Sequence, residues 1–288
     1  MALISNEGEP VSKWWISKAI GIIKTDREIF LSGNMRRARL ELIAGTNRLK
    51  TIKGWMIAAQ IIRNGKTTRE QELTDLGLAI YNNDPKLEKS STWWAFHLST
   101  CFSDASEPYS SFFLNLDNLS KDWLNLAQIT EKIQNTVKQD NGEDYKDSTI
   151  ESLLGSVRRM FVEDRPLAEI GLIETRKNRE DGTSIRLGSP KLTDEIIIHA
   201  LAMVRFHKYK STPTVDFSEL TKGGLAHFLC CTPPELRDHL RRMKQSNKWQ
   251  NYFNFNEQEN LNSVSFEALC TPDKTLLLLL QEGRDTWL

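Results

Sequence analysis

Residues 37–78 carry the pattern that most restricts how this chain folds: two short helical periodicities split by a glycine, an Asn-Gly pair, and a fresh helix start. Over 37–43, Ala38, Leu40 and Leu42 supply an apolar stripe, and Gly45 is placed to stop the helix. Thr46 or Asn47 then caps a helix running through Leu49, Ile52, Trp55, Met56 and Ala59 to about Gln60. Ile61-Ile62-Arg63 is a β-branched run, and Asn64-Gly65 is the strongest short hairpin signal a sequence offers. The return strand falls near Glu72-Leu73-Thr74, and Thr74 also caps the helix that begins Asp75-Leu76-Gly77-Leu78. A further helix over 14–23, with Trp15, Ala19, Ile22 and Ile23 on one face, precedes them. Helix, helix–turn–helix, hairpin is the layout of a winged helix.

The chain is long enough for one large domain or a few small ones: 288 residues, 39% apolar and 26% charged, a composition that buries a core. No pure apolar run exceeds five residues, far short of the roughly 20 that cross a bilayer. The start, Met1 to Glu7, lacks a basic segment followed by an apolar one, so a soluble cytoplasmic protein is expected. Cys101, Cys230, Cys231 and Cys270 are sparse, and two are adjacent, which suits reduced core thiols.

Turn-rich breaks near 82–85, 139–142, 178–190 and 210–213 suggest a division into 1–83, 84–209 and 210–288. The middle reads as helical, with a short hairpin whose tip is Asp181-Gly182. One helix, capped by Ser90 or Ser91, holds Trp93, Trp94, Phe96, His97 and Cys101. Its rings are expected in the core, with His97 a satisfied core histidine. The last part repeats the first: a helix over 217–229, a Cys230-Cys231 turn, and a Thr232-Pro233-Pro234-Glu235 cap. The next helix, 235–245, places Arg237, Arg241 and Lys244 at i, i+4 and i+7, opposite Leu236, Leu240 and Met243. Residues 251–255 and 263–266 are expected as a second wing. The fold class expected is mostly α, α+β, with winged helix-turn-helix modules at the N- and C-terminal ends and a helical middle.

A neutral total of 38 bases and 38 acids hides segregation. Residues 36–69 hold nine bases against Glu41 alone, while 84–151 hold twelve acids against six bases. Residues 235–248 carry five bases and two acids. Local fields of this kind draw polyanions. In a winged helix the third helix enters the major groove and the wing follows the backbone. The expected contacts with double-stranded DNA are therefore Arg36, Arg37, Arg39, Arg48, Lys50, Lys53, Arg63, Lys66 and Arg69, with Arg237, Arg241 and Lys244 as a second set. The alternative is a protein-docking adaptor or a transcriptional regulator without catalysis. There the opposed faces would pair with partners or in a homo-oligomer, and no membrane contact is expected.

Catalytic signatures are missing: no G-x-x-x-x-G-K-[ST], no G-x-G-x-x-G and no G-x-S-x-G occurs. His227, Cys230, Cys231 and His239 lack zinc spacing, and Gly223-Gly224 reads as close packing inside a helix. Glu143, Asp144 and Asp147 read as a flexible turn, so no metal ligands are assigned. A nuclease is still compatible, since metal-binding carboxylates can come from distant positions.

Several segments resemble a bacterial domain family of unknown function found beside DNA phosphorothioation genes, the SspB-like proteins. They are Trp15-Ile16-Ser17-Lys18-Ala19, Leu73-Thr74-Asp75-Leu76-Gly77, Thr92-Trp93-Trp94-Ala95-Phe96-His97, Val157-Arg158-Arg159-Met160-Phe161-Val162 and Pro166-Leu167-Ala168-Glu169-Ile170-Gly171-Leu172-Ile173. The Gly-His-Glu-Thr-Phe-like opening of that family is absent before Trp14. The resemblance implies a DNA-acting component of a phosphorothioate modification or phage-defence system, with other proteins of its operon as partners. It also implies DNA nicking, with a divalent metal such as Mg as cofactor, and carries over no numbered catalytic residue.

Overall fold

The computed structural model describes all residues except 1, 66–69, 117–121, 142–145, 163–164, 179–181, 211, 259–260 and 282–288. In the front unit, α1 (Lys13–Thr25) buries Ile16, Ala19, Ile20 and Ile23, leaving Trp15 and Ile22 half-buried on its flank. The buried stripe is thus one position round from the expected one. Helix α2 (Met35–Glu41) and α3 (Thr46–Ala58) follow. Ala38 and Leu42 of this segment face the core, and Leu40, two residues on from Ala38, points to solvent instead of joining them. Gly45 does not stop α2. It is the N-cap of α3 with φ −71°, and the left-handed residue is Ile43, with φ +50°. Strands β1 (Ile62–Asn64) and β2 (Gln71–Leu73) pair antiparallel, with Ile62 opposite Leu73. Asn64-Gly65 opens a longer connection, where the Gly65 N–H donates to the Glu70 carbonyl at 3.0 Å, and no two-residue turn forms. Thr74 caps α4 (Asp75–Asn83) by accepting from the Gly77 N–H at 3.1 Å.

The middle is built on α5 (Ser90–Cys101), buried from Ser91 to Cys101, whose N-cap is Lys89 in place of either serine. A helix apolar on every side belongs in a core. Helix α6 (Tyr109–Leu114) follows it, then a short strand β3 (Leu124–Asn125), α7 (Leu126–Asn141) and α8 (Asp147–Arg159). Strands β4 (Ile173–Asn178) and β5 (Gly182–Leu187) form the hairpin, with order β3-β5-β4, and the expected tip at Asp181 lies outside the described residues. Helix α9 (Asp194–Lys208) packs on α5.

The rear unit adds a strand the sequence did not announce, β6 (Thr214–Asp216). The helix expected over 217–229 is two, α10 (Phe217–Lys222) and α11 (Leu225–Phe228), because Gly224 adopts φ +96°. Gly223-Gly224 is therefore a break. Helix α12 (Pro233–Lys244) starts with a full Thr232–Glu235 capping box. Strands β7 (Phe253–Gln258) and β8 (Leu261–Phe266) complete a sheet of order β6-β8-β7. The chain then returns as α13 (Pro272–Gln281) against α9, α4 and α5.

Buried apolar residues from all three parts form one continuous cluster. His97 ties middle to rear: its Nε2–H donates to the Phe228 carbonyl at 2.7 Å, and its Nδ1 accepts from the Tyr109 hydroxyl at 2.8 Å. It is a satisfied core histidine, and the four cysteines are free and buried. Among the described residues no helix is long and apolar enough to cross a membrane.

Candidate nucleic-acid interface

Helix α3 was expected to lie open along its polar side. It does not, because an N-terminal strap crosses it. A Cβ on Gly54 would sit 1.7 Å from the Ser5 carbonyl oxygen, so only glycine admits the strap at this point. Thr51 Oγ1 donates to the Asn6 carbonyl and Trp55 Nε1 to the Glu9 carbonyl, each at 2.8 Å. Asn6 Nδ2 in turn donates to Ser156 Oγ of α8 at 2.8 Å, anchoring the far side. The strap brings two acids with it. Lys50 pairs with Glu7 at 3.2 Å, and Arg48 with Glu9 at 3.4 Å, its guanidinium 4.5 Å from the Trp15 ring centre. Lys53 is half-buried, and desolvation pulls its ammonium below the ordinary lysine range. On α3 the exposed positions are Thr46, Asn47 and Lys50.

The open cationic surface lies instead on α2 and the turn after it. Arg36, Arg39 and Leu40 fall at i, i+3 and i+4 on one exposed face of α2, and Ile43 follows in the turn beyond the helix's end. With Ala44 and Gly45 they line an open depression of about 460 Å³. Among the described residues neither Arg36 nor Arg39 has an ion pair. Leu40 is 73% exposed and Ile43 69%. Ile43 is β-branched yet holds a left-handed backbone, a conformation that costs about 1–3 kcal/mol. Its neighbours pin it there: Leu42 and Ala44 are buried, Trp15 Nε1 donates to the Leu42 carbonyl at 3.1 Å, and the Ala44 N–H donates to the Arg39 carbonyl at 3.2 Å.

Two of the other expected front cations are partnered. Arg37 turns away to Asp26 and Glu41, and Arg63 shares Glu72 with Arg27. Lys66 and Arg69 lie outside the described residues. Glu7, Glu9, Asp26 and Glu72 all stand just beyond the 36–69 window, so a count along the chain missed them.

In the rear unit the three candidates do converge, but around an acid. Arg241 clamps Glu257 of β7 through two hydrogen bonds, at 2.6 and 2.9 Å, and also meets Asp238 at 3.2 Å. The Arg241 hydrogen bond chiefly holds the Glu257 carboxyl below its ordinary range, with Arg237 and Lys244 adding to the effect. Arg237 lies over the Phe217 ring at 5.0 Å. Nearby, Arg242 pairs with Asp194 at 2.9 Å and Lys248 with Glu195 at 2.6 Å.

Among the described residues no three His, Cys, Asp or Glu side chains gather as a metal site, and Glu143 and Asp144 lie outside those residues. Sequence reasoning missed Leu40, Ile43, Glu7 and Glu9. The i, i+3, i+4, i+7 spacing from Arg36 was the available signal for the first two.

Comparison with known proteins gives a consistent frame. A family model described as "Protein of unknown function (DUF4007)" matches residues 9–279. Two solved structures share the fold, a magnesium ion-bound SspB crystal structure at a TM-score of 0.77 and an SspB crystal structure at 0.76. Each is 18% identical and covers 98% of this chain and 87% of its own. No curated protein matches the chain in sequence.

Proposed function

The chain belongs to this DUF4007 family of unknown function, and from that premise we propose that it binds duplex DNA as a component of a phosphorothioate modification or defence system. The SspB-like fold and the segment resemblance support the association. One observation carries the DNA contact: Arg36 and Arg39 stand unpaired on one outward stripe beside a helix–turn–helix. We read the two end units as winged helices, since each runs helix–turn–helix and then hairpin, flanking a middle of 84–209. The contact surface in this reading is the α2 stripe with the first turn of α3, Thr46, Asn47 and Lys50 included. Arg237, Arg241 and Lys244 contribute only if Glu257 releases Arg241.

Affinity built on phosphate contacts falls steeply with salt. A short duplex titrated across a salt series should show this. Arg36→Glu with Arg39→Glu should weaken binding and flatten the salt slope by roughly one unit per lost phosphate contact. Unchanged binding by that variant rejects the α2 stripe as the reader. Nicking, implied by family resemblance alone, is read separately as conversion of supercoiled plasmid to open circles with Mg²⁺ or Mn²⁺. The adaptor reading draws on the self-neutralised rear unit. A sizing column beside the gel shift separates it, because an adaptor changes size with protein partners or copies and ignores duplex.

A further inference from the structure

We propose that the turn joining α2 and α3 is an apolar wedge, Leu40 and Ile43, that enters the base stack of the bound duplex and bends it. This rests on the DNA-binding reading and goes further, naming what the site does to its ligand. Exposed leucine and isoleucine on the same stripe as two unpaired arginines match the chemistry of a wedge: apolar side chains pushed between base steps while cations hold the phosphates on either side. Ordinary exposed apolar residues are mobile and unstrained. Ile43 is neither, since Leu42 and Ala44 are anchored on both sides of it and its backbone is left-handed. A left-handed residue just past a helix's end commonly stops it, and here it leaves the Ile43 side chain exposed beside Leu40, Arg36 and Arg39.

The unpaired charge decides between possible occupants. An apolar patch alone would suit any apolar partner, but Arg36 and Arg39 beside it call for a polyanion with apolar surface between its charges. A duplex whose bases are unstacked offers that. An acidic surface of a second copy is the competing occupant.

The test uses the full chain and a short duplex carrying fluorophores at its ends and 2-aminopurine within the site. The comparison variant is Leu40→Ser with Ile43→Asn. Both positions are exposed, and asparagine accepts the left-handed backbone better than isoleucine, so the variant folds. The native chain should bend the duplex by roughly 20–90° and raise 2-aminopurine fluorescence. The variant should bind with the same salt slope, since its phosphate contacts are intact, but leave the duplex straight and the 2-aminopurine stacked. Binding by the native chain without bending or unstacking overturns the wedge and leaves the DNA reading standing. No duplex binding at all overturns both. Self-association lost in the variant, with no DNA distortion in the native chain, overturns the wedge in favour of a contact between copies.

Discussion

Leaving aside β6, which only the rear has, the front and rear units both run helices, hairpin, helix, and they treat their cations differently. In the rear, the hairpin itself supplies Glu257 to neutralise Arg241, and α9 supplies Asp194 and Glu195 to Arg242 and Lys248. Carboxylates from its own surroundings thus meet the cations on and after α12, although these stay exposed. In the front, a separate strap brings Glu7 and Glu9 to α3, while the α2 stripe next to it keeps Arg36 and Arg39 open and pushes Leu40 and Ile43 outward. Two segments that are both basic along the chain therefore present different charge in space. Net charge over a segment reports attraction only where the facing carboxylates are counted too.

The strongest way to break this comparison is acid. His97 and His199 are buried neutral, each with its pKa pushed down to about 4 by desolvation. Both join the rear of the chain to the middle, His97 through Phe228 and His199 through Thr275 at 2.9 Å. No histidine precedes His97. The unfolded chain takes up these protons first, so stability is full above about pH 6.5. It should fall between there and pH 4, by about 3 kcal/mol for each histidine. Hydrogen exchange at pH 5 should show α11 and α13 opening before α1 to α3, and the reverse order would refute the contrast.

Charge reversal comes next. Arg36→Glu with Arg39→Glu should weaken duplex binding by about 100-fold at low salt, whereas Arg237→Glu with Arg241→Glu should cost less than about tenfold. Equal losses would show that both faces read DNA. Gly54→Ala tests the strap. Forcing a Cβ against the Ser5 carbonyl should destabilise by about 1–3 kcal/mol, and limited proteolysis should cut before residue 10 sooner. A strap that stays protected would mean the close approach is not what holds it. The smallest effect belongs to Glu257→Gln. Freeing Arg241 should tighten duplex binding by a few-fold at most, since solvent screens an exposed pair of this kind. A larger gain would make the rear unit a reader held in check by its own hairpin.

Much of the fold was legible because local chemistry and final structure agree. Thr74 and Thr232 are caps in sequence and in space, and the α12 stripe of Leu236, Leu240 and Met243 is buried as its spacing requires. The apolar character of 93–98, broken only by His97, announced a central helix. The misses share a cause. Gly45 looked like a helix stop, and Asn64-Gly65 like a tight turn, on intrinsic preference alone. Packing of Leu42 and Ala44 moved the left-handed residue to Ile43 instead. β6 was missed because its pairing with β8 is a long-range contact with no local pattern. At the candidate site, the two short helices and the hairpin were readable but the exposed surface was not.

By itself the sequence determined most of the helices, the caps at Thr74 and Thr232, and which rings make the core, because these follow from periodicity and from neighbours a few residues away. Only the tertiary structure decided which cations are free. That depends on carboxylates brought from the strap, from the loop after α1 and from the hairpins, and Coulomb interaction acts through distance in space, which chain order does not encode.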